Sequence, residues 1–465
     1  MSFFETMSLL NRRQVFKTAG GMIAALNLPR VALADGEPAG EPHYFMHVYI
    51  SQGMDSSSLF DARPLGFTQA GKIHNYFGID PTEWVGANGH KTLVRSTTDV
   101  LQPYMNDFSV INGVVMNTAF DGHDQNALSM VSGNPFGGKW FLPELAGGKT
   151  PLDYLLFGSF FYSGALTNAS LGLASSTDGI SSLVKALGNR NTDGAPEDAI
   201  IGRGLMAAAN QGGGAGLFSS GAAKMSAGLE GSKGLIKLMK QVQPAVGGPG
   251  AENDTKTMIE FLKRGLTTQL FYAPFFADIN VDSHAEVDAK KIPENYPKIT
   301  QMIADVFKTL KSTEFSPGKS FLDVTTVVVS SEFTRTMRQS EKPIDNTGTD
   351  HNPLGNSVLV GGKGIKKGCV FGATDLDVLT NNEFAGVPAY HSSLDSGLVK
   401  MMGKPIDFAT GLPLVGGVNE YDPAKFLSFS NIANTFMDMF NLPPESRWEM
   451  GRNLPKAQSL PFLRG

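Results

Sequence analysis

Residues 327–351 read VVVSSEFTRTMRQSEKPIDNTGTDH, and the change of character inside this stretch decides the fold class. Val324, Val327, Val328 and Val329 form a short β-branched run, apolar on both faces, which predicts a buried strand of a parallel sheet rather than a helix. Ser330, Ser331 and Glu332 then stand at its carboxyl end, the edge of an open α/β sheet outside which ligands bind. Asp350 and His351 follow after a polar loop containing Pro and Gly. Alone, Glu332 reads more simply as a helix-capping carboxylate or one paired with Arg335. Its meaning depends on what else the chain brings to that edge.

Residues 44–50 (YFMHVYI) predict a first strand that runs into Gln52, Gly53, Met54 and Asp55, so a carboxylate again follows a strand end. His43 and His47, on or beside that strand, read as core or surface histidines. Residues 108–115 (FSVINGVV) predict a second strand, followed by Asp121, Gly122, His123 and Asp124. Asp124 or Asn126 would cap a helix beginning near Ala127, whereas His123 has no such ordinary role. Residues 169–175 fit a third strand. Residues 254–270 place Met258, Phe261, Leu262, Leu266 and Leu270 on one side of a predicted helix. An apolar approach at 275–281 leads to Asp282, Ser283 and His284. A helix is predicted over 296–310, a strand over 357–362, and an amphipathic helix over 432–440. Strands alternating with helices predict an α/β fold built on a doubly wound sheet. Between 179 and about 250, glycine clusters such as 212–216 interrupt weakly amphipathic helices, which predicts a Gly-rich helical insertion acting as a cap or lid.

With 465 residues, 41% of them hydrophobic, the chain can bury a large core. Its net charge is −5 and its Lys and Arg are dispersed, which argues against nucleic acid and against acidic lipid surfaces as partners. The single cysteine, Cys369, excludes an internal disulfide framework and any Cys-rich metal site, leaving Asp, Glu and His as ligands. At the N-terminus, Asn11-Arg12-Arg13-Gln14-Val15-Phe16-Lys17 precedes a moderately apolar stretch at 19–28 and the small-x-small site Ala32-Leu33-Ala34. This pattern looks like a twin-arginine signal over 1–34, so the chain is expected to use the Tat translocase and to reside in the periplasm or be secreted. No later segment has a long uninterrupted apolar run, so no stable membrane span is expected.

Four separated places therefore carry metal-type ligands near predicted strand ends: Asp55; His123; Asp282 with His284; and Glu332 with Asp350 and His351. The chain has only eight histidines, and placing three beside carboxylates in this way is poorly explained by chance. Mixed Asp and His ligands suit Zn, Mn or Fe better than Mg or Ca. One or two such divalent ions would clamp a phosphate or sulfate ester.

The Arg-Arg signal, Gln52-Gly53-Met54-Asp55, Val281-Asp282-Ser283-His284, Ser331-Glu332-Phe333-Thr334-Arg335-Thr336 and Gly348-Thr349-Asp350-His351 occur in an order that resembles the exported family called domain of unknown function 1501. That family is similar to the sulfatase and alkaline phosphatase superfamily. The resemblance implies a single domain over 35–465, with a mostly parallel central sheet, helices on both faces and a bimetal site on its carboxyl edge. It further implies that Asp282, His284 and His351 hold one ion and that Asp55 and Glu332 hold the other, with Asp350 or His123 nearby. One departure stands out. Where the family shows Ser-His-Phe-Asp, this chain has Gly122-His123-Asp124-Gln125, so the position of the superfamily's nucleophile has no hydroxyl.

Two functions follow as expectations. The first is an exported metal-dependent hydrolase of a small anionic ester, with His123 orienting substrate or leaving group and Arg335 pairing with the substrate anion. The alternative is a non-catalytic secreted or cell-envelope protein that keeps the fold around a degenerate or metal-only site.

Overall fold

In the computed structural model the valine run forms a strand, Thr325–Ser330, in the middle of an eight-stranded sheet. The structure describes residues 41–64, 77–147, 150–158, 172–175, 177–188, 237–246, 250–274, 279–338, 348–376, 378, 387–391, 398–450 and 455–465. The signal predicted at 1–34 and most of the insertion predicted at about 179–250 lie outside these residues, as do 275–278.

Numbering the strands used below in chain order, β1 is Tyr44–Tyr49, β2 Phe108–Val114, β3 Tyr154–Gly158, β4 Gly172–Ser175, β5 Gln269–Ala273 and β6 Thr325–Ser330. Two short strands, β7 Thr334–Arg335 and β8 His351–Asn352, pair with each other beyond the sheet. Then follow β9 Asn356–Gly362 and β10 Val370–Phe371. The sheet order is β10-β2-β9-β6-β1-β5-β3-β4. Every neighbouring pair is parallel except the two made by β9, which runs against both β2 and β6. The expected strand at 357–362 is therefore present but reversed. The chain leaves β6 at the carboxyl edge and enters β9 from that same edge, so it returns without crossing a face of the sheet.

Alternation along β6 explains why its sequence is apolar on both sides. Val327 and Val329 pack into one hydrophobic cluster and Val328 into another on the opposite face, and all three have no exposure. The first face is covered by α3 (Ala251–Lys263) and α4 (Ile292–Ser312), through Phe261, Leu262, Ile303 and Phe307. The second is covered by α1 (His123–Ser132), α2 (Phe141–Ala146) and α5 (Phe429–Met439), through Met130, Phe141, Ile432 and Phe436. Helices thus lie on both faces of a mostly parallel sheet, as expected. Several boundaries differ, two of them beside the strands that lead to the site. The helix predicted over 254–270 stops at Lys263, because Gly265 takes a left-handed φ of 62°, and Leu270 belongs instead to β5. The helix after β2 starts at His123 rather than near Ala127, with Gly122 as its N-cap.

His47 sits in the interior of β1 with no exposure, its Nε2 2.8 Å from the Ser330 hydroxyl and its ring against Phe271 and Phe429. Burial pushes this imidazole down to about 3, so the fold accepts only its neutral form. Unfolded, the same group titrates near ~6.5. Below that pH the unfolded chain binds a proton that the native chain refuses, so stability must fall with falling pH, by up to about 1.4 kcal/mol per pH unit. His47→Gln retains a polar atom for Ser330 and removes the proton. Its urea midpoint is expected to decline less between pH 7 and pH 5 than that of the unsubstituted chain; equal declines would show that His47 is not the acid-sensitive group.

Candidate metal centre

Because β1, β2, β5 and β6 run in the same direction, the segments that follow them emerge at one edge, and the segment preceding β9 reaches that edge as well. After β1 the chain turns sharply, with Gln52 at φ 77° and Gly53 at φ 80°. Both angles are left-handed, and a Cβ on Gly53 would stand 2.1 Å from the Phe333 ring, so only glycine fits there. The turn lets the strand ends of β1 and β6 fasten to each other. The Gln52 amide donates to Glu332 Oε1 at 2.8 Å, the Met54 amide to the Ser331 hydroxyl at 2.9 Å and the Ser56 amide to Thr334 Oγ1 at 2.7 Å.

Glu332 has no exposure. Its Oε1 lies 2.7 Å from His123 Nδ1, and its Oε2 accepts from the Ser331 hydroxyl at 2.9 Å. Burial alone would raise its pKa, but the hydrogen bonds from His123 and the Ser331 hydroxyl outweigh it and hold the carboxyl below the usual range. An ionised Glu332 only accepts, so His123 Nδ1 is the protonated nitrogen and its Nε2 lone pair is free to point outward.

That Nε2 faces Asp282 Oδ2 at 3.9 Å. Asp282 Oδ1 lies 3.2 Å from His284 Nε2, which lies 2.8 Å from His351 Nε2. One ligand atom from each of His123, Asp282, His284 and His351 falls within 4.8 Å of all the others, and no other such group occurs among the described residues. Two imidazole nitrogens facing each other at 2.8 Å gain little unless a proton or a cation lies between them. On one Zn²⁺ with bonds of about 2.0–2.1 Å and tetrahedral angles they would stand about 3.3 Å apart, so roughly half an ångström of opening would seat the ion. His351 is driven down to about 4, first by burial and then by the neighbouring His123 and Arg335, which keeps its lone pair available at neutral pH. The residues fit a divalent cation.

Carboxylates behind the imidazoles complete the arrangement. Glu332 orients His123, and Asp350 Oδ1 stands 3.6 Å from His284 Nδ1 while accepting the His351 amide at 2.8 Å. Phe333, fully buried, stacks on His351 at 4.2 Å between ring centroids. Gly348 sets the separation of the two loops. Its amide donates to the His284 carbonyl and that of Thr349 to the Ser283 carbonyl, both at 2.7 Å.

The expected residues are therefore divided in their placement. His123, expected beside the substrate, joins Asp282, His284 and His351 in the ligand group. Glu332 and Asp350 stand behind histidines. Asp55 contributes no atom to the group; its carboxylate accepts from the Ser57 and Ser58 hydroxyls, and burial raises its pKa. Arg335 is neither on a helix nor turned to solvent. It has 1% exposure, donates to Asp282 Oδ1 at 2.6 Å and to the carbonyls of Gln52 and Gly53. Burial alone would raise the Asp282 carboxyl, but Arg335 reverses this and holds it low. Sequence reading named Gln52 and Gly348 only as members of their motifs and gave neither a role, because an amide donor to Glu332 and a close backbone approach to 283–285 both depend on distant segments.

The family described as "Protein of unknown function (DUF1501)" matches this chain over residues 270–389. That span contains Asp282, His284, Glu332, Arg335, Asp350 and His351 but not Asp55 or His123. No curated protein matches the chain in sequence. Among solved structures, the chain is similar to the lipoteichoic acid synthase LtaP from Listeria monocytogenes, with 8% identity, 93% of this chain and 80% of that one covered, and a TM-score of 0.38. A protein in the alkaline phosphatase superfamily from Vibrio parahaemolyticus shows 11% identity, coverage of 82% and 76%, and a TM-score of 0.34. The PsFucS1 sulfatase from Pseudoalteromonas sp. shows 10% identity, coverage of 96% and 77%, and a TM-score of 0.32.

A Cβ on Gly348 would stand 2.1 Å from the Ser283 carbonyl oxygen and 2.6 Å from that of Ala285. Backbone atoms cannot give way as a side-chain tip can, so Gly348→Ala must push the 283–285 segment away and separate His284 from His351. The variant is expected to lose about 1–3 kcal/mol of stability and to bind Zn(II) at least tenfold more weakly. Isothermal titration beside a thermal melt checks both; unchanged zinc affinity would show that the backbone contact does not set the ligand spacing.

Proposed function

We propose that the chain is an exported, metal-dependent hydrolase of phosphate or sulfate esters whose substrate is a small anionic ester. The observation that carries this reading is the convergence of His123, Asp282, His284 and His351, from three distant parts of the sequence, within 4.8 Å. Three imidazoles and one carboxylate favour Zn, Mn or Fe over Mg or Ca. When bound, such an ion supplies Lewis-acid polarisation of the ester and lowers the pKa of a water. The chain's own residues supply the rest. Glu332 keeps the His123 Nε2 lone pair turned outward, the Asp350 carboxylate lies 3.6 Å from His284 Nδ1, and Arg335 holds Asp282 ionised and aimed.

One ion is favoured over two. The resemblance gives Asp55 and Glu332 to a second ion, but their carboxylates are satisfied by Ser57 and Ser58 and by Gln52, Ser331 and His123. Arg335 is engaged with Asp282 and two carbonyls, so recognition of the ester's charge is left to the cation itself. Export rests on the residues at 1–34; no helix among the described residues is long and apolar enough to cross a membrane.

The non-catalytic reading is kept because of one observation: Gly122, the N-cap of α1 beside His123, offers no hydroxyl. Hydrolysis here then uses an activated water in place of a serine. A Cβ on Gly122 would meet only the flexible side chain of Gln125, its amide oxygen at 2.5 Å, and its φ of −67° suits any residue, so Gly122→Ser should fold.

The purified chain is expected to carry close to one equivalent of Zn, Mn or Fe by elemental analysis and to hydrolyse an aryl phosphate or aryl sulfate. Asp282→Asn and His351→Ala should each lower turnover by at least about 10²-fold, and a chelator should abolish it reversibly. Metal-free protein after purification in metal-supplemented buffer would defeat the reading. Turnover by Gly122→Ser alone, with none by the natural sequence, would favour the non-catalytic one. Replacing both Arg12 and Arg13 with Lys is expected to leave the protein in the cytoplasm, as read by fractionation; normal export would remove the twin-arginine assignment.

A further inference from the structure

Lys400 is the one buried lysine among the described residues, with no exposure at all. A buried ammonium costs several kcal/mol unless it is paired, and its partners therefore show what it holds together. Its Nζ stands 3.6 Å from Asp121 Oδ2 and donates to the Ala389 carbonyl. The Ala389 amide in turn donates to the Thr118 carbonyl at 2.9 Å, so the loop at 118–121 is gripped at both ends. Two residues beyond Asp121 is His123. The adjacent residue reaches the other side of the centre: the Met401 carbonyl accepts from Asn352 Nδ2 at 2.8 Å, and Asn352 follows His351. The Asp350 carboxylate also acts electrostatically on Lys400. One dipeptide, 400–401, thereby touches the carriers of two histidines more than two hundred residues apart in sequence.

We propose that Lys400 is a positioning residue of the ligand group, which through its ion pair with Asp121 fixes the entry into α1 and so places His123 opposite His351. Being fully buried, it does not meet substrate. The inference rests on the metal-binding reading for its functional consequence but not for its structural content, and the two separate experimentally.

The test compares Lys400→Met, Lys400→Arg and Asp121→Asn with the full natural chain. Hydrogen–deuterium exchange on metal-free protein is expected to be faster over 118–124 in Lys400→Met and Asp121→Asn, with Lys400→Arg restoring protection. Zn(II) titration is expected to give at least tenfold weaker affinity in Lys400→Met and Asp121→Asn, and the variant carrying both is expected to be no weaker than either single one, because both remove the same ion pair. A merely structural lysine would lower the melting temperature without changing zinc affinity of the folded protein or the exchange at 118–124, and that result overturns the proposal. Faster exchange at 118–124 in a protein whose natural form binds no zinc would uphold the positioning role and defeat the metal reading instead.

Discussion

The site depends on a carboxylate that water never reaches. Glu332 is fully buried and ionised, and a buried carboxylate without partners would cost several kcal/mol. It is held by the Gln52 amide, the Ser331 hydroxyl and the His123 imidazole. These donors belong to the end of β1, the end of β6 and the start of α1. Satisfying one negative charge therefore requires three chain segments to meet at one point, and the histidine delivered to that point has its second nitrogen turned toward the ligand group. Electrostatic need and site assembly are the same event.

A second constraint acts on the ligands that come later in the chain. Since β9 runs against its neighbours, the stretch between β6 and β9 must leave and re-enter at the carboxyl edge, and it carries His351 back beside Arg335 in the β7-β8 pairing. Gly348 then brings the backbone of this stretch against 283–285, where any side chain would collide with carbonyl oxygens. His284 and His351 come close because two backbones do. Arg335, buried beneath, neutralises Asp282 and ties it to the turn at Gln52. The centre is thus built from one charge pair, Arg335 with Asp282, and one charged group held by hydrogen bonds, Glu332 with His123, each partner lowering the cost of burying the other.

Much of the fold was legible because its signal is local. The two-sided apolar character of Val327, Val328 and Val329 announces a strand covered on both faces, and the spacing of Ile299, Ile303 and Phe307 announces a helix that covers one of them. Where local signals run together the reading slips. Leu266 and Leu270 continue the helical period of α3, yet the left-handed Gly265 has already ended that helix, and Leu270 packs as a strand residue. The direction of β9 was not legible at all, because a strand's residues are the same whichever way it runs.

For the site, the sequence by itself determined the inventory: carboxylates and histidines following strand ends, a single cysteine excluded from ligation, and a glycine where a hydroxyl would stand. Only the tertiary structure decided which of them share a point in space. Glu332 and Asp350 stand behind histidines, Asp55 turns to its own serines, Arg335 turns to Asp282, and His123 lies in the group that could hold an ion. The physical reason is that residue type sets what an atom can bind, whereas its partner is set by where other segments place their donors and acceptors. Those placements come from strand order, strand direction and the close approach of distant backbones, none of which is written in the spacing of the residues.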